Sequence, residues 1–127
     1  MKQEEGGDRY FWDTYAIAEL MHGNPNYAKY SQEPIIITIF NLVEIYWIAI
    51  REYNENEADK IYGGYSKAVI DVSDEILKKA IKFRKKNKGK DLSYADCIGY
   101  VYAVENNMKF LTGDNGFKDF EKIEFVK

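Results

Sequence analysis

The chain has 127 residues, a formal net charge of −3 at pH 7, and 46% hydrophobic against 31% charged residues. This is enough for one domain around one core, and the balance excludes a disordered or collagen-like chain. A net negative charge also excludes a polycation built for nonspecific nucleic-acid binding, although a nucleic-acid substrate met by a local patch stays open.

A single cysteine, Cys97, allows no internal disulfide, so a reduced, cytoplasmic setting is expected. The opening MKQEEGGDRY lacks a basic end followed by an apolar run and is not expected to be a secretory leader. The most apolar stretch, residues 35–50, is broken by Asn41 and Glu44 and is shorter than the roughly 20 residues that cross a bilayer. A soluble protein with no membrane partner is expected.

Residues 1–8 read as a flexible N-terminal tail before one domain over 9–127. Arg9 to Trp12 reads as a strand running into Asp13-Thr14, and Tyr15 to Met21 follows with helical spacing. Gly23-Asn24-Pro25 ends that helix, and Pro25 suits the first position of a short helix to about Tyr30. Ile35 to Ile37 is a β-branched run without a polar partner, the pattern of a strand covered on both faces. Thr38 caps a helix from Ile39 to about Tyr53 that is apolar nearly all round, which requires cover from another helix or another subunit.

A weaker helix, Glu57 to Lys67, is expected to be interrupted at Gly63-Gly64, and Ala68 to Val72 reads as a short strand. Ser73-Asp74-Glu75 opens a helix to about Lys86 with apolar residues on one side and lysines on the other; Gly89 stops it. Leu92 to Asn107 is a helix capped by Ser93, Lys109 to Leu111 a strand, Thr112-Gly113-Asp114 a turn, Asn115 to Phe120 one helical turn, and Ile123 to Val126 a last strand. Strands alternating with helices of this length predict an α/β fold: three layers, α/β/α, around a mostly parallel sheet of four to five strands.

In such a sheet ligands gather beyond the carboxyl ends of the strands. Asp13 and Asp114 each follow a strand and fall at that edge, and Asp96 opens a helix that feeds the next strand. Each has a structural alternative: Asp13 as a helix cap, Asp96 in a capping box with Ser93, Asp114 as a turn residue. Glu44 sits among Leu42, Val43, Ile45, Tyr46 and Trp47, where an unpaired carboxylate costs several kcal/mol. Four gathered carboxylates raise one another's pKa values, and a divalent cation relieves that conflict. Oxygen ligands without paired His or Cys point to Mg²⁺ or Mn²⁺. The lone His22 reads as a surface or packing residue.

Four segments, Tyr10-Phe11-Trp12-Asp13-Thr14, Asn41-Leu42-Val43-Glu44, Ser93-Tyr94-Ala95-Asp96 and Leu111-Thr112-Gly113-Asp114, together resemble the PIN-domain nucleases, especially the small VapC-type toxins. The likeness spans residues 9–127. It implies a Mg²⁺- or Mn²⁺-dependent endoribonuclease, often a homodimer and often paired with an antitoxin. Asp13, Glu44, Asp96 and Asp114 become the acidic, metal-binding and catalytic cluster, with Thr14 and Thr112 as hydroxyl-bearing supports. Two positions depart from the family pattern. Tyr15 replaces a small polar residue, and Gly116 stands where a further acid often comes, leaving Asn115 or Asp119 as substitutes.

The resulting expectation is metal-assisted hydrolysis of an RNA phosphodiester, leaving a 3′-hydroxyl and a 5′-phosphate, with one ion resident and a second recruited with substrate. Lys82, Lys85 and Lys86 are candidates to grip phosphate, against the alternative of a solvated helix face. Tyr15, Tyr94 and Tyr100 are candidates to stack on unpaired bases. The competing readings are a catalytically silent PIN-fold module binding RNA or protein, and a Mg²⁺-binding phosphorelay receiver. The receiver would need adjacent acids after the first strand, where a single acid stands. A haloacid-dehalogenase-type phosphatase would need a second aspartate at Tyr15.

Overall fold

The computed structural model describes residues 9–127; the tail expected over residues 1–8 lies outside the described residues. Among the described residues three strands, β1 (Tyr10–Trp12), β2 (Lys109–Thr112) and β3 (Ile123–Phe125), form an all-parallel sheet in the order β1-β2-β3. Among the described residues six α-helices pack around it: α1 (Thr14–Met21), α2 (Pro25–Ala28), α3 (Ile39–Glu52), α4 (Glu55–Ser66), α5 (Asp74–Lys86) and α6 (Tyr94–Glu105).

The period-2 alternation of the strands divides the core. Phe11 and Phe110 are register partners whose rings stack at 5.8 Å, and they pack with Ile98, Tyr100 and Phe117 on the face covered by α5 and α6. Trp12 and Leu111, the next pair, pack with Ile17, Tyr27 and Ile45 on the opposite face. Two buried faces need helices on both sides, which is the three-layer arrangement expected.

The sheet is narrower than the four to five strands expected. Residues 35–37 and 68–72 form no regular strands; they are joined by one parallel bridge, Ile37 to Val69. Backbone bonds still extend the array past β1: Trp12 N–H donates to Ile36 O at 3.0 Å, Ile37 N–H to Ala68 O at 3.1 Å, and Ile70 N–H to Ile37 O at 2.9 Å. These bonds continue the parallel array without completing a regular ladder. The expected break at Gly63-Gly64 is also absent: α4 runs through both glycines, whose places are open enough that helix geometry is unopposed.

Caps set the helix starts. Thr38 and Asn41 form a reciprocal capping box on α3, Ser73 caps α5, and Ser93 and Asp96 form a second box on α6. Gly99 fixes how closely α6 lies on the sheet, because a Cβ there would come within 2.5 Å of the Phe11 ring. Asp96 is three residues earlier on the same helix, so this close approach also brings its carboxylate to the sheet edge. Among the described residues no helix is long and apolar enough to cross a membrane.

Candidate metal centre

Asp13 leaves the end of β1 and caps α1. Its Oδ1 accepts from Thr14 N–H at 2.8 Å and its Oδ2 from the Thr112 hydroxyl at 2.6 Å. Thr112 ends β2, and its Oγ1 also accepts from Asp114 N–H at 3.0 Å. Asp96 accepts from Ser93 N–H through Oδ2 at 2.8 Å. The structural alternatives for these acids are therefore real: both oxygens of Asp13 and one of Asp96 accept local hydrogen bonds, and a carboxylate oxygen that accepts one bond keeps a lone pair for a further ligand.

The carboxylates converge. Asp13, Asp96 and Asp114 each offer a carboxylate oxygen within 4.8 Å of the others, and among the described residues this is the group that fits a metal ion. Asp13 is 1% exposed. Burial, then the neighbouring Asp96 charge, pushes its carboxyl well above the usual carboxylate range, against the lowering effect of the Thr112 hydroxyl. Asp96 is also raised, chiefly by burial. The donor set is all oxygen and crowded with negative charge, which suits a hard dication.

Glu44 lies outside that group. Its Oε1 accepts from the Thr14 hydroxyl at 2.7 Å, and burial raises its carboxyl while that hydroxyl lowers it. The partner its apolar surroundings require is therefore a neutral hydroxyl beside Asp13. Asp96 still adds to the raising of the Glu44 carboxyl, so the two acids feel each other's charge.

Asn41 is the residue that sequence reasoning passed over. Fully buried, it donates through Nδ2 to Thr14 Oγ1 at 3.0 Å, while its Oδ1 accepts from the Thr38 amide and hydroxyl, both at 2.9 Å. A chain of bonds thus runs Thr38, Asn41, Thr14, Glu44 and fixes the direction of the Thr14 hydroxyl proton. The available signal was an amide three residues after Thr38 and three before Glu44, on a helix otherwise apolar there.

The other sequence candidates divide. Tyr15 packs against Gly113, where a Cβ would collide with its ring and with Val126 O, and Lys127 Nζ lies 5.6 Å from its ring centroid. Tyr100 is buried, and its hydroxyl donates to Glu121 O at 2.8 Å, so the expectation that it stacks on a base is overturned by its place in the core. Tyr94 is 58% exposed at the start of α6. Lys82, Lys85 and Lys86 are exposed on α5.

Gly116 donates its N–H to Asp114 Oδ1 at 2.9 Å. A Cβ there would meet Leu92 Cδ2 at 3.1 Å, so the missing acid corresponds to a tight spot in this chain. Asn115 is exposed, and Asp119 lines a separate cavity of about 440 Å³ with Phe83, Tyr100 and Phe120. His22 pairs with Glu52 at 2.8 Å at the surface. Burial pushes the Cys97 thiol up to about 11, which leaves it a packing residue.

The sequence matches the PIN domain family over residues 10–123. A comparison with curated proteins finds no match. Among solved structures, the chain is similar to a toxin-antitoxin complex from Klebsiella pneumoniae, with a TM-score of 0.73 at 16% identity, covering 91% of this chain and 95% of that one.

Proposed function

The chain belongs to the PIN-domain family, and from that premise we propose that it is a metal-dependent endoribonuclease, the toxin of a toxin-antitoxin pair acting in the cytoplasm. The observation that carries this reading is the convergence of Asp13, Asp96 and Asp114 at one edge of the sheet. Mg²⁺ or Mn²⁺ would be held by these three carboxylates, with Glu44 contributing through water. When bound, such an ion polarises a phosphate oxygen and lowers the pKa of an attacking water.

The chain's own residues do the positioning. Thr112 holds the Asp13 carboxylate and ties it to the Asp114 backbone. Thr14, aligned by Asn41, holds Glu44, whose carboxyl feels the Asp96 charge. Asn115 borders the site at the head of a helical turn and is proposed only as a polar neighbour of the substrate. Lys82, Lys85 and Lys86 supply positive charge along α5.

The similar solved structure is a toxin-antitoxin complex, and this chain exposes an apolar strip suited to a protein partner. Val43 and Trp47 on α3 are 63% and 57% exposed, and Ile50 follows them. An antitoxin or a second copy of the chain is the proposed cover.

The test is cleavage of a structured RNA with Mn²⁺ by wild type and by Asp96→Asn. Wild-type cutting with at least a hundredfold loss in the variant is expected; equal cutting by both ends the proposal.

A further inference from the structure

Helices α5 and α6 run antiparallel. At one end Lys79 Nζ lies 3.2 Å from Glu105 Oε1, and at the other Arg84 Nε donates to Leu92 O at 2.8 Å. The basic end of α5 therefore lies beside the first turn of α6, where Asp96 sits. The guanidinium of Arg84 lies over the Tyr94 ring, 4.4 Å from its centroid. Tyr94 is two residues before Asp96 and remains 58% exposed.

We propose that Arg84 and Tyr94 form a subsite for an unpaired RNA nucleotide next to the scissile phosphate, with the Tyr94 ring stacking on the base and the Arg84 guanidinium binding the phosphate. The inference rests on the ribonuclease reading and narrows its substrate to RNA with an unstacked base at the cut. Arg84 Nε is occupied by Leu92 O, while the two terminal nitrogens have no protein partner among the described residues. A guanidinium held at Nε and stacked on a ring presents its remaining N–H groups in a fixed fork, the geometry that suits phosphate.

The pair also answers an electrostatic need. A cluster of three aspartates repels a polyanion, and a fixed cation beside it offsets that repulsion where the substrate must enter. The loop after α5 runs beside the Asp114 turn, since a Cβ on Gly116 would lie 3.5 Å from Lys90 O, while the Lys90 ammonium lies over the Phe120 ring; Arg84 is therefore the cation that meets this need. Of the three tyrosines considered from the sequence, Tyr100 is buried and Tyr15 is packed on Gly113, whereas Tyr94 keeps an exposed ring.

The test is fluorescence anisotropy of a labelled single-stranded RNA oligonucleotide in EDTA across a salt series, with the matching duplex as competitor, beside cleavage of the same strand with Mn²⁺. Tyr94→Ala is expected to weaken single-strand binding about tenfold, with Tyr94→Phe within about twofold of wild type and duplex binding unmoved. Arg84→Gln is expected to lower the slope of log affinity against log salt by about 0.7, one phosphate contact on a single strand, while Arg84→Lys keeps the slope. Thermal melts of each variant establish that the fold is intact.

If wild type cuts RNA but Tyr94→Ala and Arg84→Gln keep its affinity and salt slope, the subsite is wrong and the ribonuclease reading survives. If wild type neither binds nor cuts RNA, both fall.

Discussion

The Thr112 hydroxyl stands 2.6 Å from Asp13 Oδ2 and accepts the Asp114 amide at 3.0 Å, so one side chain at the end of β2 joins two corners of the acidic cluster. Thr112→Val keeps the shape and removes both bonds. An unsatisfied buried carboxylate oxygen and amide cost about 1–3 kcal/mol. For a domain of this size, thermal melts should show Tm lower by roughly 3–10 °C. Mn²⁺ affinity, measured by calorimetric titration, should fall by about 10–100-fold, the usual effect of removing a group that orients a ligand. Unchanged affinity would show that Thr112 only supports the strand end.

The crowding of the acids predicts how the metal-free protein responds to pH. Burial and the neighbouring charges raise the Asp13 carboxyl above its value in the unfolded chain, and Asp96 is raised as well. Between the unfolded and the raised folded values the native state binds more protons, so stability is fully present below that window and is lost as pH rises through it. Melts in EDTA should therefore give a Tm that falls from about pH 4 upward. Asp96→Asn, which removes one charge and keeps the Ser93 bond, should flatten the fall, and Mn²⁺ should do the same for wild type. A Tm that climbs over this range in EDTA would contradict the crowding.

Glu44 gives a sharper division of labour than the sequence offered. Because it bonds Thr14 and lies outside the three-aspartate group, Glu44→Gln should lower Mn²⁺ affinity by about tenfold, the low end of what removing an indirect partner costs. Asp96→Asn should lose most of that affinity. Cleavage should suffer in both. Equal loss of metal binding in the two variants would put Glu44 among the direct ligands.

The exposed strip on α3 predicts association. Sedimentation at micromolar concentration should show a dimer, or a complex when an antitoxin is coexpressed, and Trp47→Glu should abolish that association by placing a charge at the centre of the strip. A monomeric wild type, or a Trp47→Glu variant that still binds a coexpressed antitoxin, would move the interface elsewhere.

How much of this was legible in the residues depends on whether the determinant was local. The caps at Thr38, Ser73 and Ser93 and the turn at Gly113 are written within a few residues, and the helices began where those signals stood. Ile35 to Ile37 carries strand propensity, but a ladder is a pairing between distant segments, and residues 68–72 supplied one bridge. Tyr100 could not be told from Tyr94 by type; burial against Phe110 and Phe117 separated them. Asp13, Asp96 and Asp114 were legible because each stands where a strand ends or a helix opens at the carboxyl edge of the sheet, and their order along the chain resembled a known family. Asn41 was missed because its role depends on Thr14, which is 27 residues away.

The central claim is that the carboxylates of Asp13, Asp96 and Asp114 hold one hard dication. Anomalous diffraction from crystals soaked in Mn²⁺ tests it most directly. The account predicts a strong peak in coordination contact with oxygens of all three aspartates, with Glu44 reaching it through water. No peak there, or peaks only on surface carboxylates such as Glu55 and Glu57, would contradict it.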